Sequence, residues 1–157
     1  MAKYRLLTKE ELEHLEKEFI AFLAAQTIPA DDWVQIKADN PDKANQMIHT
    51  FSDVIMEEVL RKTQFLEKTD KNRIASIHFQ SGQMILAAME APIDSDADFR
   101  DQEYIAQATV KPPGYLKAYT TAEKYESSRE LELFKFIELG WLVSDGKLYK
   151  TLCLAVT

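Results

Sequence analysis

The stretch that decides the fold is residues 65–90, which read FLEKTDKNRIASIHFQSGQMILAAME. In its middle part apolar and polar residues alternate, so that Ala75, Ile77 and Phe79 would share one face of a strand. An alternation of period two predicts β-strands. The two segments that connect the predicted strands are only three residues long, which predicts an antiparallel meander. The predicted strands are 65–69, 73–79 and 83–90.

Helical periodicity precedes this stretch. Residues 9–26 follow a capping-box pattern, with Thr8 as the cap and Glu11 three positions later, and their apolar residues recur at helical spacing. A short helix is predicted from Asp31. A long helix is predicted over 41–62, because an asparagine and then a proline, good N-cap and first residues, precede its apolar stripe.

The chain after the predicted sheet is harder to interpret. Residues 91–119 predict a loop with a helix over 98–108. The sequence Thr120-Thr121-Ala122-Glu123 is a second capping-box pattern, which predicts a helix that runs to Leu139.

The last residues predict a β-hairpin. Residues 141–143 and 147–156 are apolar, and the Asp-Gly pair between them fits a type I′ turn. The predicted fold class is therefore α+β, with N-terminal helices packed on a small antiparallel sheet and a C-terminal helix and β-hairpin.

The length of 157 residues predicts a single domain over 1–157, with an internal hinge near 109–119 around Pro112-Pro113-Gly114. The formal net charge of −7 disfavours binding to nucleic acids and to anionic membranes. Cys153 is the only cysteine, which favours a reducing, cytoplasmic location. No apolar run predicts a signal peptide or a membrane span.

The four glycines lie far apart along the chain. A phosphate-binding loop or a dinucleotide fingerprint needs clustered glycines, so that backbone amides can approach a phosphate. We therefore expect no nucleotide cofactor, and no other cofactor is indicated.

Three aspartates at alternate positions, Asp94, Asp96 and Asp98, resemble the opening of a calcium loop. Such a loop needs glycine at its sixth position and glutamate at its twelfth. Phe99 and Ile105 stand there instead. A solvated acidic loop is the favoured interpretation, and an irregular metal site is the alternative.

A second arrangement of metal-ligand types is predicted on two helices. His14 and Glu18 lie one helical turn apart, and so do His49 and Asp53. If those faces met, they would form a metal site of the kind found in helix bundles. A solvated face with ion pairs is the favoured interpretation.

His78 is the one titratable ring on the predicted sheet, which makes it a candidate general base. No nucleophile motif accompanies it, and a structural histidine is the favoured interpretation.

Two resemblances add to this. The helix predicted to end at Leu139 and the hairpin around Asp145-Gly146 resemble the recognition helix and wing of a winged-helix domain. The opening Lys3-Tyr4-Arg5, the Asp31-Asp32-Trp33 turn and the ending around Phe134–Lys150 resemble a family of uncharacterised bacterial proteins. That resemblance implies a small protein of unknown function and brings no site residues.

The leading functional hypothesis is a non-catalytic cytoplasmic protein-interaction or adaptor module, with a protein partner or a second copy of itself. One alternative is a small-molecule binder or hydrolase-like enzyme, with a site near His78 and the 91–119 loop. The other is a winged-helix-like protein associated with nucleic acid. For the protein-interaction module, the open edges of the sheet are the natural contact surfaces.

Overall fold

A computed structural model describes residues 3–156 and confirms the α+β class. Of the helices in that range, none has both the length and the apolar character needed to cross a bilayer. In chain order the elements are α1 (Lys9–His14), α2 (Glu16–Ala25), α3 (Ala30–Asp39), α4 (Pro41–Lys62), β1 (Phe65–Thr69), β2 (Arg73–Phe79), β3 (Gln83–Glu90), α5 (Gln102–Val110), β4 (Lys117–Lys124), α6 (Arg129–Glu138), β5 (Leu142–Ser144) and α7 (Lys147–Val156).

The chain divides into two compact units, Met1–Val59 and Leu60–Thr157. The boundary lies within α4, close to its end. That 1–157 forms a single domain with a hinge near 109–119 stays a prediction.

The first unit begins with the predicted capping box, which is confirmed. The Thr8 hydroxyl accepts from the Glu11 amide at 3.2 Å, and the Thr8 amide donates to Glu11 Oε1 at 2.8 Å. The bond from Arg5 is the main reason that the pKa of Glu11 falls from 4.5 to about 2. The helix predicted over 9–26 is present as α1 and α2, which are separated at Leu15.

Aromatic side chains form the interior of the first unit. Phe19 of α2 contacts the ring of Trp33 at 5.1 Å and that of Phe51 at 5.0 Å. Phe22 reaches Phe51 from the next turn of the same helix, at 5.4 Å. These contacts join α2, α3 and α4, because offset and edge-on aromatic pairs stabilise a core beyond the area that they bury.

The second unit is built on a five-stranded antiparallel sheet with the order β4-β3-β2-β1-β5. The meander predicted over residues 65–90 is confirmed, strand by strand, with the predicted bounds. In its register Leu66 pairs with Ile77, and Ile77 pairs with Leu86.

Helix α7 lies on one face of this sheet, against β2, β3 and β4. The core beneath it consists of residues that are at most 1% exposed: Ile74, Ala87, Met89, Phe99 and Leu152. Phe99 comes from the loop before α5, so that loop contributes a ring to the core.

The second unit is also fastened by Arg129, the first residue of α6. Its guanidinium donates to the Leu60 carbonyl at 3.1 Å, to the Thr63 carbonyl, and to the Phe79 carbonyl at 3.1 and 3.2 Å. The first two acceptors lie at the end of α4, where the Leu60 carbonyl also accepts from the Thr63 amide at 3.3 Å. Arg129 thus caps α4 and holds the end of β2 beside it.

The prediction that a helix starts at Thr120 is wrong. Residues 117–124 form β4, and the helix starts only at Arg129, with Ser128 as its cap. The Ser128 hydroxyl accepts from the Leu131 amide at 3.2 Å. Threonine and tyrosine pack well in a pleated sheet, and pairing with β3 outweighs the local capping pattern.

The predicted C-terminal hairpin is also wrong. The chain forms the short strand β5 and then the helix α7, whose Lys147 amide donates to Asp145 Oδ1 at 3.0 Å. Leu148 and Leu152 stand four positions apart, the spacing of a helix face, and both pack into the core. Gly146 has a φ of +92° and lies where a Cβ would meet the Phe65 ring at 2.6 Å.

Candidate functional site

The outer edge of β4 is an open strand edge of the second unit. β4 pairs with β3 on one side, and along residues 3–156 no strand pairs with its other side. β4 is eight residues long, and an open edge of this kind presents unpaired amide and carbonyl groups to any strand that comes alongside.

The side chains of β4 divide between the two faces of the sheet. Lys117, Tyr119, Thr121 and Glu123 point to the face opposite α7, because they pair with Glu90, Ala88, Leu86 and Met84. All of the residues from Thr120 to Lys124 are exposed, and so is Lys117. The strand therefore carries a positive charge at its start and a negative charge six positions later on one exposed face.

One end of β4 is tied to the sheet by a polar network. The Tyr119 hydroxyl donates to Glu90 Oε1 at 2.6 Å, and Arg73 Nε lies 3.2 Å from the same oxygen. The Arg73 contact is an ion pair without hydrogen-bond geometry. Burial first, and then the bond to Glu90, raises the pKa of Tyr119 above 10.0. The network holds the Tyr119 hydroxyl against β3.

A cavity of about 230 Å³ lies on the sheet face opposite α7. Ile77, Met84 and Leu86 contribute apolar groups from β2 and β3, and Phe136 and Trp141 contribute rings from α6 and the residues after it. The two rings meet edge to face at 5.6 Å. Its polar lining is Arg73, Thr121 and Glu123.

A family model described as "Family of unknown function (DUF6495)" matches residues 1–157. The chain belongs to this family. The predicted membership in a family without a known function is confirmed, whereas the winged-helix resemblance is not. No curated protein and no solved structure gives a match.

His78, the predicted candidate general base, lies among aromatic rings on the sheet face that α7 covers. Its ring stacks on Phe65 at 4.4 Å and meets Tyr149 edge-on at 5.3 Å. Its exposed side lines a shallow cavity of about 360 Å³ together with Arg129 and Glu130. Two aromatic rings therefore hold the imidazole on this face, and the role of His78 stays a prediction.

The structure does not bring His78 together with the 91–119 segment. That segment meets the opposite end of β2, where the Ala91 amide donates to Asn72 and the Phe99 amide donates to Lys71 at 3.0 Å. Lys71 and His78 are seven positions apart along the chain, or about 20 Å at the rise of a β-strand. The small-molecule site that was predicted between the two is therefore not formed.

The three aspartates of the acidic run do not converge. Asp98 is bound by Arg100, whose Nε lies 2.8 Å from Oδ1, and this bond is the main reason that the pKa of Asp98 falls from 3.8 to about 2. Asp94 and Asp96 join no group of potential metal ligands within residues 3–156. Phe99, which stands in place of the loop glycine, is a core residue.

The two-helix metal arrangement is not assembled either. Asp53 accepts from the Lys3 amide at 2.8 Å and from the Tyr4 amide at 3.2 Å, so its carboxylate holds the chain start. His14 and Glu18 are exposed, and His49 Nδ1 is buried without a hydrogen-bond partner. Over the described part of the chain, no three or more histidine, cysteine or acidic residues are grouped as a metal site would need.

The environment of His78 predicts a pH-dependent stability. Burial first, and then the charge of Arg129, lowers the pKa of His78 below 6.5. The unfolded chain then binds this proton more readily, so the stabilisation is fully present above 6.5 and is lost as the pH falls through the lower pKa of the folded state. Urea unfolding between about pH 8 and pH 5 should show this decline. His78→Phe should flatten it, and an unchanged slope in that variant would contradict this account.

Sequence reasoning missed both the β4 edge and the cavity. The available signal was the run Tyr119-Thr120-Thr121, three residues of high strand preference that overlap the start of the capping-box pattern. Phe136 and Trp141 are separated by the end of a helix, and only the fold places their rings over the sheet.

Proposed function

We propose that this chain is a non-catalytic, cytoplasmic protein-interaction module that pairs with a second copy of itself along β4. The observation that carries the proposal is the self-complementary charge pattern of this open edge. The cytoplasmic location rests on the single cysteine, as argued from the sequence.

Symmetry restricts how two β4 strands can pair. A twofold axis perpendicular to the sheet makes the strands antiparallel and keeps each face of the sheet on its own side. Directly opposite residues then point to the same face. Opposite residues must therefore both be odd-numbered or both even-numbered, and one residue must lie opposite its own copy.

With Thr120 opposite Thr120, Lys117 of each copy lies opposite Glu123 of the other. Ala118 then faces Ala122, and Tyr119 faces Thr121, so small and hydroxyl-bearing side chains meet in the middle. Opposite charges directly across an antiparallel pair contribute about 0.2–1 kcal/mol each, and this register forms two such pairs.

Neighbouring symmetric registers lack this match. With Thr121 at the centre, Glu123 lies opposite Tyr119 and Lys117 opposite Tyr125. Charged residues on an edge strand usually deter pairing with foreign strands. In the Thr120-centred register the same charges attract, so they would exclude other strands and admit a second copy.

The expected association is weak and reversible. A single added strand gives an interface at the small end of the range for specific complexes. We expect a Kd on the order of 10 μM, with weaker dimers at high salt because the charge pairs are exposed. Sedimentation velocity between about 1 and 300 μM would measure it.

Charge reversal tests both the surface and the register. Lys117→Glu places like charges opposite each other twice. This should weaken the free energy of association by about 2 kcal/mol, which raises the Kd about 30-fold. Glu123→Lys should do the same. The double variant Lys117→Glu/Glu123→Lys restores both pairs and should dimerise as the unaltered chain does.

The opposite sheet edge supplies a matched control. β5 is only three residues long, and its Leu142 and Val143 are 67% and 61% exposed. Val143→Lys should leave the Kd unchanged. A chain that stays monomeric at every concentration would overturn the proposal, as would a dimer that Val143→Lys breaks and Lys117→Glu does not.

A further inference from the structure

We propose that the cavity on the sheet face opposite α7 binds a small organic cation, a protonated amine carried on an apolar body. This site lies over the face of the sheet, whereas the β4 pairing runs along its edge. The two share Glu123, so the cavity is proposed as a site of the monomer, in which Lys117 of a second copy does not lie opposite Glu123.

The lining suits an apolar body. Ile77 and Leu86 are paired across β2 and β3, and Met84 stands one row further along the same face. Phe136 and Trp141 form an aromatic wall, with Trp141 only 8% exposed. Small-molecule sites are typically concave and apolar, with a few polar groups that fix the ligand.

The charges at the cavity favour a cation. Arg73 is balanced by Glu90, the two forming an ion pair at 3.2 Å. Glu123 has no hydrogen-bond or ion-pair partner within the described chain, so its carboxylate is the unbalanced charge of the lining. A cation beside it would also face aromatic rings, which attract positive charge. The net charge of −7 adds a general attraction for cations.

The size of the cavity limits the ligand. A cavity of about 230 Å³ lies below the range of about 300–1,000 Å³ that is typical of drug-sized ligands, so it suits a smaller ligand. A ligand of about nine non-hydrogen atoms, such as 2-phenylethylamine, fits this space. Its ring would lie against Leu86 and Trp141 while its ammonium group reached Glu123.

The test compares three probes of similar shape: 2-phenylethylamine, the neutral 2-phenylethanol and the anion 3-phenylpropionate. The Trp33→Phe variant leaves Trp141 as the only tryptophan, so its fluorescence reports binding at the cavity. Titrations at about 1 μM chain keep the protein below the Kd of the proposed dimer. We expect saturable binding of the amine at least tenfold tighter than that of the alcohol, with the anion weakest.

Two variants test this site under the same monomeric conditions. Glu123→Gln should weaken amine binding about tenfold and leave binding of the alcohol unchanged, whereas Glu103→Gln, an equal charge change on exposed α5, should have no effect. Leu86→Phe fills the cavity from β3 and should abolish binding of the amine and the alcohol without altering the oligomeric state.

The proposal is overturned if none of the probes gives a saturable change, or if the anion binds as tightly as the amine. It is also overturned if Glu123→Gln binds the amine as the parent does. None of these results affects the charge-reversal test of the dimer.

Discussion

Phe99→Ala should lower the free energy of unfolding by about 4 kcal/mol. The ring of Phe99 is fully buried among Ile74, Met89 and Leu152, and it meets the ring of Tyr104 edge-on at 5.4 Å. Removing it deletes the buried surface of the ring and leaves a cavity that the sheet and α7 cannot close without moving. Urea denaturation followed by circular dichroism at pH 7.5 or so measures the loss.

Ile93→Ala is the control for this prediction. Ile93 lies six residues earlier in the same loop but is 86% exposed, so its loss should change the free energy of unfolding by less than about 0.5 kcal/mol. A cost below about 1 kcal/mol for Phe99→Ala would show that the acidic segment is not part of the core.

Arg129→Ala should lower the free energy of unfolding by about 3 kcal/mol. The guanidinium satisfies the carbonyl groups of Leu60, Thr63 and Phe79, and alanine leaves all three without that donor. The Leu60 carbonyl keeps the Thr63 amide as a donor at 3.3 Å, but each part-buried acceptor loses a charged hydrogen bond, which is typically worth about 1.5–3 kcal/mol. The same urea experiment measures the effect.

Two further variants separate geometry from charge. Arg129→Lys keeps the charge, but a single ammonium group cannot reproduce the planar fork that reaches three carbonyls, so we expect about half of the loss. Arg61→Ala removes an exposed arginine nearby and should cost less than about 0.5 kcal/mol. If Arg129→Ala and Arg61→Ala were equally stable, the capping role would be refuted.

The central sheet could be predicted because three signals agree there. The middle part of residues 65–90 alternates in polarity, the two connecting segments are too short for a crossover, and turn-forming residues separate the strands. The long helix over 41–62 was also predicted with its observed bounds, because Asn40 and Pro41 mark its start and its apolar stripe is continuous.

The last quarter of the chain could not be predicted in this way because local signals conflict with pairing. The pattern of Thr120 and Glu123 matches that of Thr8 and Glu11, yet the first pair lies in a strand and the second caps a helix. The difference is made by β3, which offers a free edge to residues 117–124. Capping patterns are local, whereas strand pairing is decided by tertiary context.

In α7 the local pattern also misleads, but here it predicts a strand where the chain forms a helix. Residues 147–156 are apolar enough for a buried strand, and Asp145-Gly146 fits a hairpin turn. The chain instead uses Asp145 to accept from the Lys147 amide and begins a helix. A helix covers β2, β3 and β4 at once, which a strand at the edge of the sheet would not do.

The measurement that most directly tests pairing along β4 is cross-linking through cysteines placed on that strand. In a Cys153→Ser background, Thr120→Cys puts two thiols directly opposite each other in the proposed register, at the separation of facing side chains. Thr121→Cys puts its thiols opposite Tyr119 of the other copy and too far apart to meet. We predict rapid disulfide-linked dimer from the first variant and little from the second under mild oxidation. Equal rates, or no dimer from Thr120→Cys, would contradict the account.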